Sequence, residues 1–293
     1  MSPAPRDPTP LRLALPKGRM QDGVFTLLRD AGVSVRIGAR GYRPTVGLER
    51  TEAKLLKPQN IVRMLDAGSR DLGFAGADWV AELGAELVEV LDLALDPVRV
   101  VAAAPTSLLD AQGRLPDRPL VVASEYARLT ERWVREQGID ATFVRAYGAT
   151  EVFPPEDADL IVDNTATGAT LAANDLRIVG EVMRSSTRLY ASPQAMADPA
   201  RRARIDDLVL VLRSVLEARR RVMVEVNVGR ADLARLVEIL PCMREPTVSA
   251  LHGDAGFAVK AAVPRDALPT LIPAVRSAGG TDIVVSALSQ IVP

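Results

Sequence analysis

Apolar positions along the chain fall into two kinds of run. Short stretches of β type, "LRLAL", "VSVRI", "DLGFAG", "DPVRVVAAA", "PLVVAS" and "ATFVRAY", alternate with segments whose apolar residues recur at helical spacing, "VFTLLRDAG", "NIVRMLDAG" after Pro58, "ADWVAELG" and "EYARLTERWVREQG". The first kind predicts buried strands and the second amphipathic helices. Gly32, Gly68 and Gly84 stand where helix C-caps belong, because glycine adopts the left-handed terminating conformation without steric cost. Such alternation predicts an α/β protein with mainly parallel sheets, which receive ligands beyond the carboxyl ends of their strands.

From Pro193 a long, arginine-rich segment of helical character runs through "ARIDDLVLVLRSVLEARRR". After it, "VMVEVNV", "RADLARLVEILP", "PTVSAL", "FAVKAAV", "RDALPTLIPAVRSAGG" and "DIVVSAL" spell β-α-β-β-α-β, the order of a ferredoxin-like module. Pro269 and Pro273 predict an irregular second helix there, since each lacks a backbone donor. Arg219, Arg220 and Arg221 read as a solvated linker face, with anion binding as the less favoured reading.

Composition narrows the chemistry. The 293 residues with 48% hydrophobic content suffice for two or three compact units. The 36 basic and 37 acidic side chains nearly cancel, so no overall field draws a polyanion and nucleic acid is not an expected partner. The opening "MSPAPRDPTP" is proline-rich, unlike a secretory signal, and no run is long enough to span a bilayer, so no membrane partner is expected and the expected location is cytoplasmic. Cys242 is the one cysteine and His252 the one histidine, which excludes an intrachain disulfide and a Cys/His zinc cluster. No G-x-S-x-G elbow accompanies His252. An enzyme with this inventory works by positioning and electrostatics.

Two stretches carry candidate chemistry. In "ADLIVDNTATGATLAANDL", the strand Leu160–Val162 empties at Asp163 into a bend of threonines and a glycine, and an apolar helical spacing begins at Leu171. A glycine admits an anion to the backbone, while free N–H groups and the hydroxyls of Thr165, Thr167 and Thr170 donate to it. Such bends equally serve as simple helix caps. In "LALPKGRM", Lys17 and Arg19 flank Gly18 at the end of the first strand, a second place for phosphates or an ordinary surface turn.

Taken with "LLKPQNIVRMLDAGSRDLGFAGADW" and "YGATE", these motifs resemble the ATP phosphoribosyltransferase family, whose activity is the first step of histidine biosynthesis, and the resemblance covers nearly the whole chain. It implies a two-lobed fold of the type II periplasmic-binding-protein kind followed by a C-terminal ferredoxin-like regulatory domain. The implied organisation is a disordered tail over 1–10, a catalytic region over 11–218 and a regulatory domain over 219–293. Lobe one would comprise about 11–95 and 179–218, and lobe two about 96–178.

The implied reaction joins N1 of ATP to C1 of phosphoribosyl pyrophosphate, releasing pyrophosphate, with Mg²⁺ held largely by the substrate's own oxygens. By resemblance, the catalytic residues are Lys17, Arg19 and Lys57. The phosphoribosyl pyrophosphate residues are Glu151, Asp163, Thr165, Ala166, Thr167, Gly168, Ala169, Thr170 and Leu171. The nucleotide residues are Lys17, Gly18, Arg19, Lys57 and Asp78, for which helix N-capping is the competing role. Histidine is the implied feedback inhibitor, through Asn227, Thr247 and Ser249, and a dimer or hexamer of identical chains is implied.

The sequence departs from the family pattern in places. Lys57 stands where many members have arginine, keeping the charge but losing the bidentate fork. Asn164 and Ala166 dilute the acid-rich form of the bend, and Asn227 replaces an acid of some members. The alternative is a binding or regulatory protein on the same scaffold without turnover, and a third reading is a phosphoribosyltransferase for another base.

Overall fold

The computed structural model of the chain describes residues 9–38 and 41–292. The tail expected over 1–10 therefore lies outside the described residues except for Thr9 and Pro10. The chain divides into two compact units, one of residues up to 29 with 33–206, the other of 30–32 with 207 onward.

In the first unit the chain runs β1 (Leu11–Pro16), α1 (Met20–Asp30), β2 (Val35–Arg36), β3 (Thr45–Val46), β4 (Thr51–Leu56), α2 (Pro58–Asp66), β5 (Leu72–Gly76), α3 (Ala77–Leu83) and β6 (Val88–Pro105). It continues with β7 (Leu120–Ser124), α4 (Ala127–Gln137), β8 (Ala141–Arg145), β9 (Leu160–Thr165), α5 (Ala169–Ala173), β10 (Leu176–Ala191) and α6 (Pro193–Ala197). Helix α7 (Pro199–Arg220) then carries the chain into the second unit. An 8-stranded sheet has the order β4-β1-β5-β10-β6-β9-β7-β8. Strands β4, β1 and β5 are parallel to one another, as are β9, β7 and β8, and the long antiparallel pair β6 and β10 lies between the two sets.

The registers bring the two parallel sets end to end. Gly76, the last residue of β5, lies opposite Thr187 of β10, while Thr165, the last of β9, lies opposite Arg99 of β6, itself opposite Arg184 of β10. The sets run in opposite senses, so their carboxyl ends meet at β10 about 10 Å apart along the strand. That is the place where α/β sheets take ligands.

Each set has its own core. Ala14, Ile61, Val62, Leu65, Ala75 and Tyr190 pack together on the first set. Val100, Leu120, Val122, Tyr126, Leu129, Trp133, Leu160 and Val162 pack together on the second.

Three sequence expectations change. The strand read in "VSVRI" shrinks to the two-residue β2, because among the described residues it pairs only with the equally short β3. The strand read in "DPVRVVAAA" begins earlier, at Val88, and the returning strand begins at Leu176; β6 and β10 pair through both halves, so each crosses the sheet where a lobe boundary was expected. The long helix from Pro193 is two helices. Asp198 is extended and its carboxylate accepts the N–H groups of Ala200 and Arg201, starting α7 afresh.

The second unit contains β11 (Arg221–Val228), α8 (Leu233–Ile239), β12 (Thr247–Ala250), β13 (Phe257–Pro264), α9 (Leu268–Ser277) and β14 (Gly280–Ala287). Its antiparallel sheet has the order β12-β13-β11-β14, the ferredoxin-like arrangement. Val222, Val224, Val226 and Val228 alternate onto the face whose core includes Leu236, Leu271 and Val275 from the helices. Helix α9 is continuous despite Pro273, while Pro269 falls in its first turn, where no donor is missed.

Gly73 of β5 shows how tightly α2 is seated. A Cβ there would fall 2.7 Å from Ile61 Cγ2 and 3.1 Å from the Ala14 Cβ. Gly73→Ala is expected to lower stability by roughly 1–3 kcal/mol, read as a shift of the urea midpoint. Gly38→Ala, with nothing within 4 Å, is expected to leave the midpoint unchanged.

Candidate active site

Parallel pairing places the strand-end cations side by side. Pro16 of β1 lies opposite Leu56 of β4, and the Lys17 N–H donates to the Leu56 carbonyl at 2.9 Å. Lys17 and Lys57 therefore leave neighbouring strands at the same level. Lys57 is exposed and precedes Pro58 at the first turn of α2. The Lys17 ammonium stands 5.2 Å from the centre of the Tyr42 ring, within range of a cation–π attraction. Gly18 has a φ of +85°, a turn that suits glycine and leaves Arg19 exposed. Among the described residues, Arg19 and Lys57 form no ion pair.

The facing edge carries the threonine bend. Thr165 is buried, and its Oγ1 accepts the Gly168 N–H at 2.9 Å. Thr167 Oγ1 receives the Ala169 N–H at 3.3 Å. Gly168 has a φ of +83° and opens α5. The bend is thus preformed by its own hydroxyls, the capping role weighed in the sequence, with Ala166, Thr167, Ala169 and Thr170 exposed. Leu171 offers the bend only backbone, because its side chain is buried with Val101, Ala103 and Ile161.

Asp163 does not mark the end of its strand: β9 continues to Thr165 because Asp163, Asn164 and Thr165 still pair with β6, and Asp163 is half-buried within the strand beside this bend. Its Oδ1 accepts the Asn164 N–H at 2.7 Å. Burial pushes its carboxyl up to about 6; the charges of Glu125 and Glu151 push the same way, against the Asn164 N–H and the Thr150 hydroxyl. Among the described residues no three carboxylate, histidine or cysteine groups converge to hold a metal ion.

Asp78 sits at the start of α3, but it is not the cap. The N-cap is Gly76, and the carboxylate is turned inward and buried. Ser185 Oγ donates to Asp78 Oδ1 at 2.7 Å and accepts the Asp78 N–H at 3.0 Å. The Tyr126 hydroxyl donates to Asp78 Oδ2 at 2.7 Å. Asn164 Nδ2 donates in turn to the Tyr126 oxygen at 2.9 Å. Burial, reinforced by the Asp78 charge, raises the Tyr126 phenol well above its ordinary range, so it remains protonated.

Close by, Glu82 of α3 is buried and accepts the N–H groups of Arg128 and Leu129 at 3.3 and 3.0 Å. It caps α4, which has no side-chain cap of its own. The Trp79 and Tyr126 rings lie 4.8 Å apart beside these contacts.

Sequence reasoning missed Glu125, Tyr126, Thr150 and Ser185. Glu125 directly follows β7, the same strand-end signal that singled out Asp163. Tyr126, Thr150 and Ser185 gave none, because their partners are distant in the chain.

On the ferredoxin-like sheet, Asn227 and Ser249 lie in one row on either side of Ala258, and Thr247 lies in the row of Lys260. All three point away from the valine face. Asn227 Nδ2 donates to Asp282 Oδ2 at 3.1 Å, so a carboxylate stands beside Asn227.

A family model described as ATP phosphoribosyltransferase matches residues 57–214, and one described as the HisG C-terminal domain matches 218–290. The chain is 36% identical over 293 residues to an ATP phosphoribosyltransferase of Pelotomaculum thermopropionicum, covering 97% of this chain and 99% of the relative. It is 35% identical over 283 residues to that of Chlorobaculum parvum, covering 93% and 94%. Among solved structures, the ATP phosphoribosyl transferase (HisG:HisZ) complex of Thermotoga maritima matches with a TM-score of 0.63 at 26% identity. That match covers 71% of this chain and 98% of the other, so this chain extends beyond what the other contains.

The raised carboxyl of Asp163 gives a stability prediction. The folded chain binds its proton more tightly than the unfolded chain, whose value is the ordinary 3.8. Ionised Asp163 therefore costs stability above about pH 6, and the cost is gone below the unfolded value. Asp163→Asn is expected to raise stability by on the order of 1–2 kcal/mol at pH 8, with the gain shrinking as pH falls through 6. Urea midpoints measured across that range check it.

Proposed function

The chain belongs to the ATP phosphoribosyltransferase family, and from that premise we propose that it joins N1 of the adenine of ATP to C1 of phosphoribosyl pyrophosphate as pyrophosphate departs. The observation that carries this reading is the meeting of two strand-end edges, one bearing Lys17, Arg19 and Lys57, the other the Thr165–Thr170 bend with Asp163.

In this reading the 5′-phosphate takes the bend over Thr165, Ala166, Thr167, Gly168, Ala169, Thr170 and the Leu171 backbone. Glu151 and Asp163 receive the ribose hydroxyls. Lys17, Arg19 and Lys57 neutralise the departing pyrophosphate, and Lys17, Gly18, Arg19 and Lys57 also meet the ATP phosphates. Asp78 serves the nucleotide side as the buried anchor of α3. N1 carries no proton to remove, so the protein needs no general base. Its residues align N1 with C1 and stabilise charge that builds on the leaving group.

The hard oxygens of Glu125, Glu151 and Asp163 suit Mg²⁺. With no preformed ligand cluster among the described residues, the ion would ride mainly on substrate oxygens, where it supplies charge neutralisation. A cytoplasmic location and assembly into a dimer or hexamer belong to the same reading. Among the described residues no helix is long and apolar enough to cross a membrane.

Incubation with ATP, phosphoribosyl pyrophosphate and Mg²⁺ is expected to release pyrophosphate and give an adenine-modified product by mass spectrometry. Binding without pyrophosphate release would establish the non-catalytic alternative, and turnover only with another base would establish the third reading. Lys57→Ala is expected to lower kcat by roughly 10²- to 10³-fold without moving the unfolding midpoint.

For the second unit we propose histidine binding on the uncovered sheet face, with Asn227, Thr247 and Ser249 contributing polar contacts and Asp282 the negative charge. Histidine is then expected to inhibit turnover, and Asp282→Asn to weaken that inhibition by roughly 3- to 10-fold, read as a shift in the half-inhibitory concentration.

A further inference from the structure

The buried hydroxyl of Tyr126 occupies a position that the transfer chemistry above does not use. It lies at a junction of segments distant in sequence. Asp78 opens α3 on the edge with the strand-end lysines, and Asn164 belongs to β9 on the edge with the phosphate bend. Tyr126 is 1% exposed, and its backbone is fixed where Ser124 Oγ receives the Tyr126 N–H at 2.8 Å while donating to the Val162 carbonyl of β9. The phenol cannot turn elsewhere without unpairing a buried group.

Donor and acceptor bookkeeping fixes every direction in the chain of contacts. Asp78 takes a donor on each oxygen, Ser185 Oγ on Oδ1 and the Tyr126 hydroxyl on Oδ2, so the phenolic proton points at Asp78. The Tyr126 oxygen then only accepts, so Asn164 must present Nδ2 to it. That orientation also brings Asn164 Nδ2 within 3.4 Å of Asp163 Oδ1, which the Asn164 N–H holds at 2.7 Å. The carboxylate beside the phosphate bend is thus oriented by an asparagine whose amide is oriented by Tyr126.

We infer that Tyr126 is a positioning residue for the sugar donor: through Asn164 it holds Asp163 in the orientation that receives the ribose, and through Asp78 it ties that carboxylate to the start of α3. This rests on the reading of Asp163 given above. Tyr126 is placed against no substrate, and its effect falls on phosphoribosyl pyrophosphate more than on ATP, because Asp78 keeps the Ser185 donor when the phenol is lost, whereas the Asn164 amide loses the acceptor that orients it.

Steady-state kinetics with both substrates varied test it. Tyr126→Phe removes one oxygen and is expected to raise the KM for phosphoribosyl pyrophosphate roughly 3- to 10-fold, with the KM for ATP changed less than about 2-fold. Ser185→Ala removes the other side-chain donor to Asp78 but leaves Tyr126 and Asn164 joined. It reports purely structural damage and is expected to leave the sugar-donor KM unchanged. In the pair Tyr126→Phe/Asn164→Ala, the KM is expected to match that of Asn164→Ala alone, because both break one link.

Equal effects of Tyr126→Phe and Ser185→Ala, or multiplicative effects in the pair, would overturn the inference. If Tyr126→Phe does not fold, Asn164→Ala bears the test, and an unchanged sugar-donor KM there overturns it. Asp163→Asn separates the two levels. A normal sugar-donor KM in that variant removes the underlying reading and the inference with it. A raised KM there with a normal one in Tyr126→Phe removes the inference alone.

Discussion

A buried carboxylate that must be fully paired governs the catalytic half of this protein. Asp78 is almost without solvent access, so each of its oxygens needs a donor, and the donors come from β10 and from the start of α4. An ionised group left unpaired at such a place would cost several kcal/mol. Glu82, one turn further along α3, accepts two N–H groups at the start of α4 and satisfies a helix end that has no cap of its own. Two adjacent acids on one short helix therefore fasten the two parallel sets of strands to each other beside the place where their ends meet.

That fastening suits a reaction in which the protein has little covalent work to do. Displacement at C1 by an adenine nitrogen depends on alignment and on stabilising a leaving diphosphate. A chain with one histidine and one cysteine can still perform it. Arg19, Lys57, Thr167 and Thr170 at the edges are exposed, while the groups that fix the supporting strands are buried tyrosine, serine and carboxylates.

Much of this was legible in the sequence, for identifiable reasons. The end of β1 announces itself because its apolar run stops at Lys17, whereas β9 runs on through the polar Asp163, Asn164 and Thr165, so its end lies two residues beyond the point where the apolar run stops. The β-α-β-β-α-β order of the second unit follows from periodicity alone. The full length of β6 is hidden in the sequence because Asp96 and Ala94, at φ of +46° and +52°, interrupt its alternation without ending it. The split of the long helix was hidden because Asp198 is as good a helix-surface residue as it is a cap. The ties around Asp78 were not readable at all. Ser185 lies 107 positions from Asp78, and Tyr126 48 positions away. Nothing local in "ASEY" distinguishes a relay from ordinary core aromatic packing.

The long antiparallel pair β6 and β10 carries a consequence for motion. A two-part protein joined by loops can swing about them as on a pivot. Here the join is a long paired ladder with irregular steps spread from Ile178/Gly180 to Leu189/Tyr190, two of which, Ser185/Thr187 and Thr187/Arg188, fall where the strand ends converge. Any opening must therefore be absorbed as torsion along the ribbon, concentrated at those irregular steps and resisted by every rung beside them. Such a spring favours small, reversible flexing over wide gaping, and leaves the passage of substrates to the short bends at the rim.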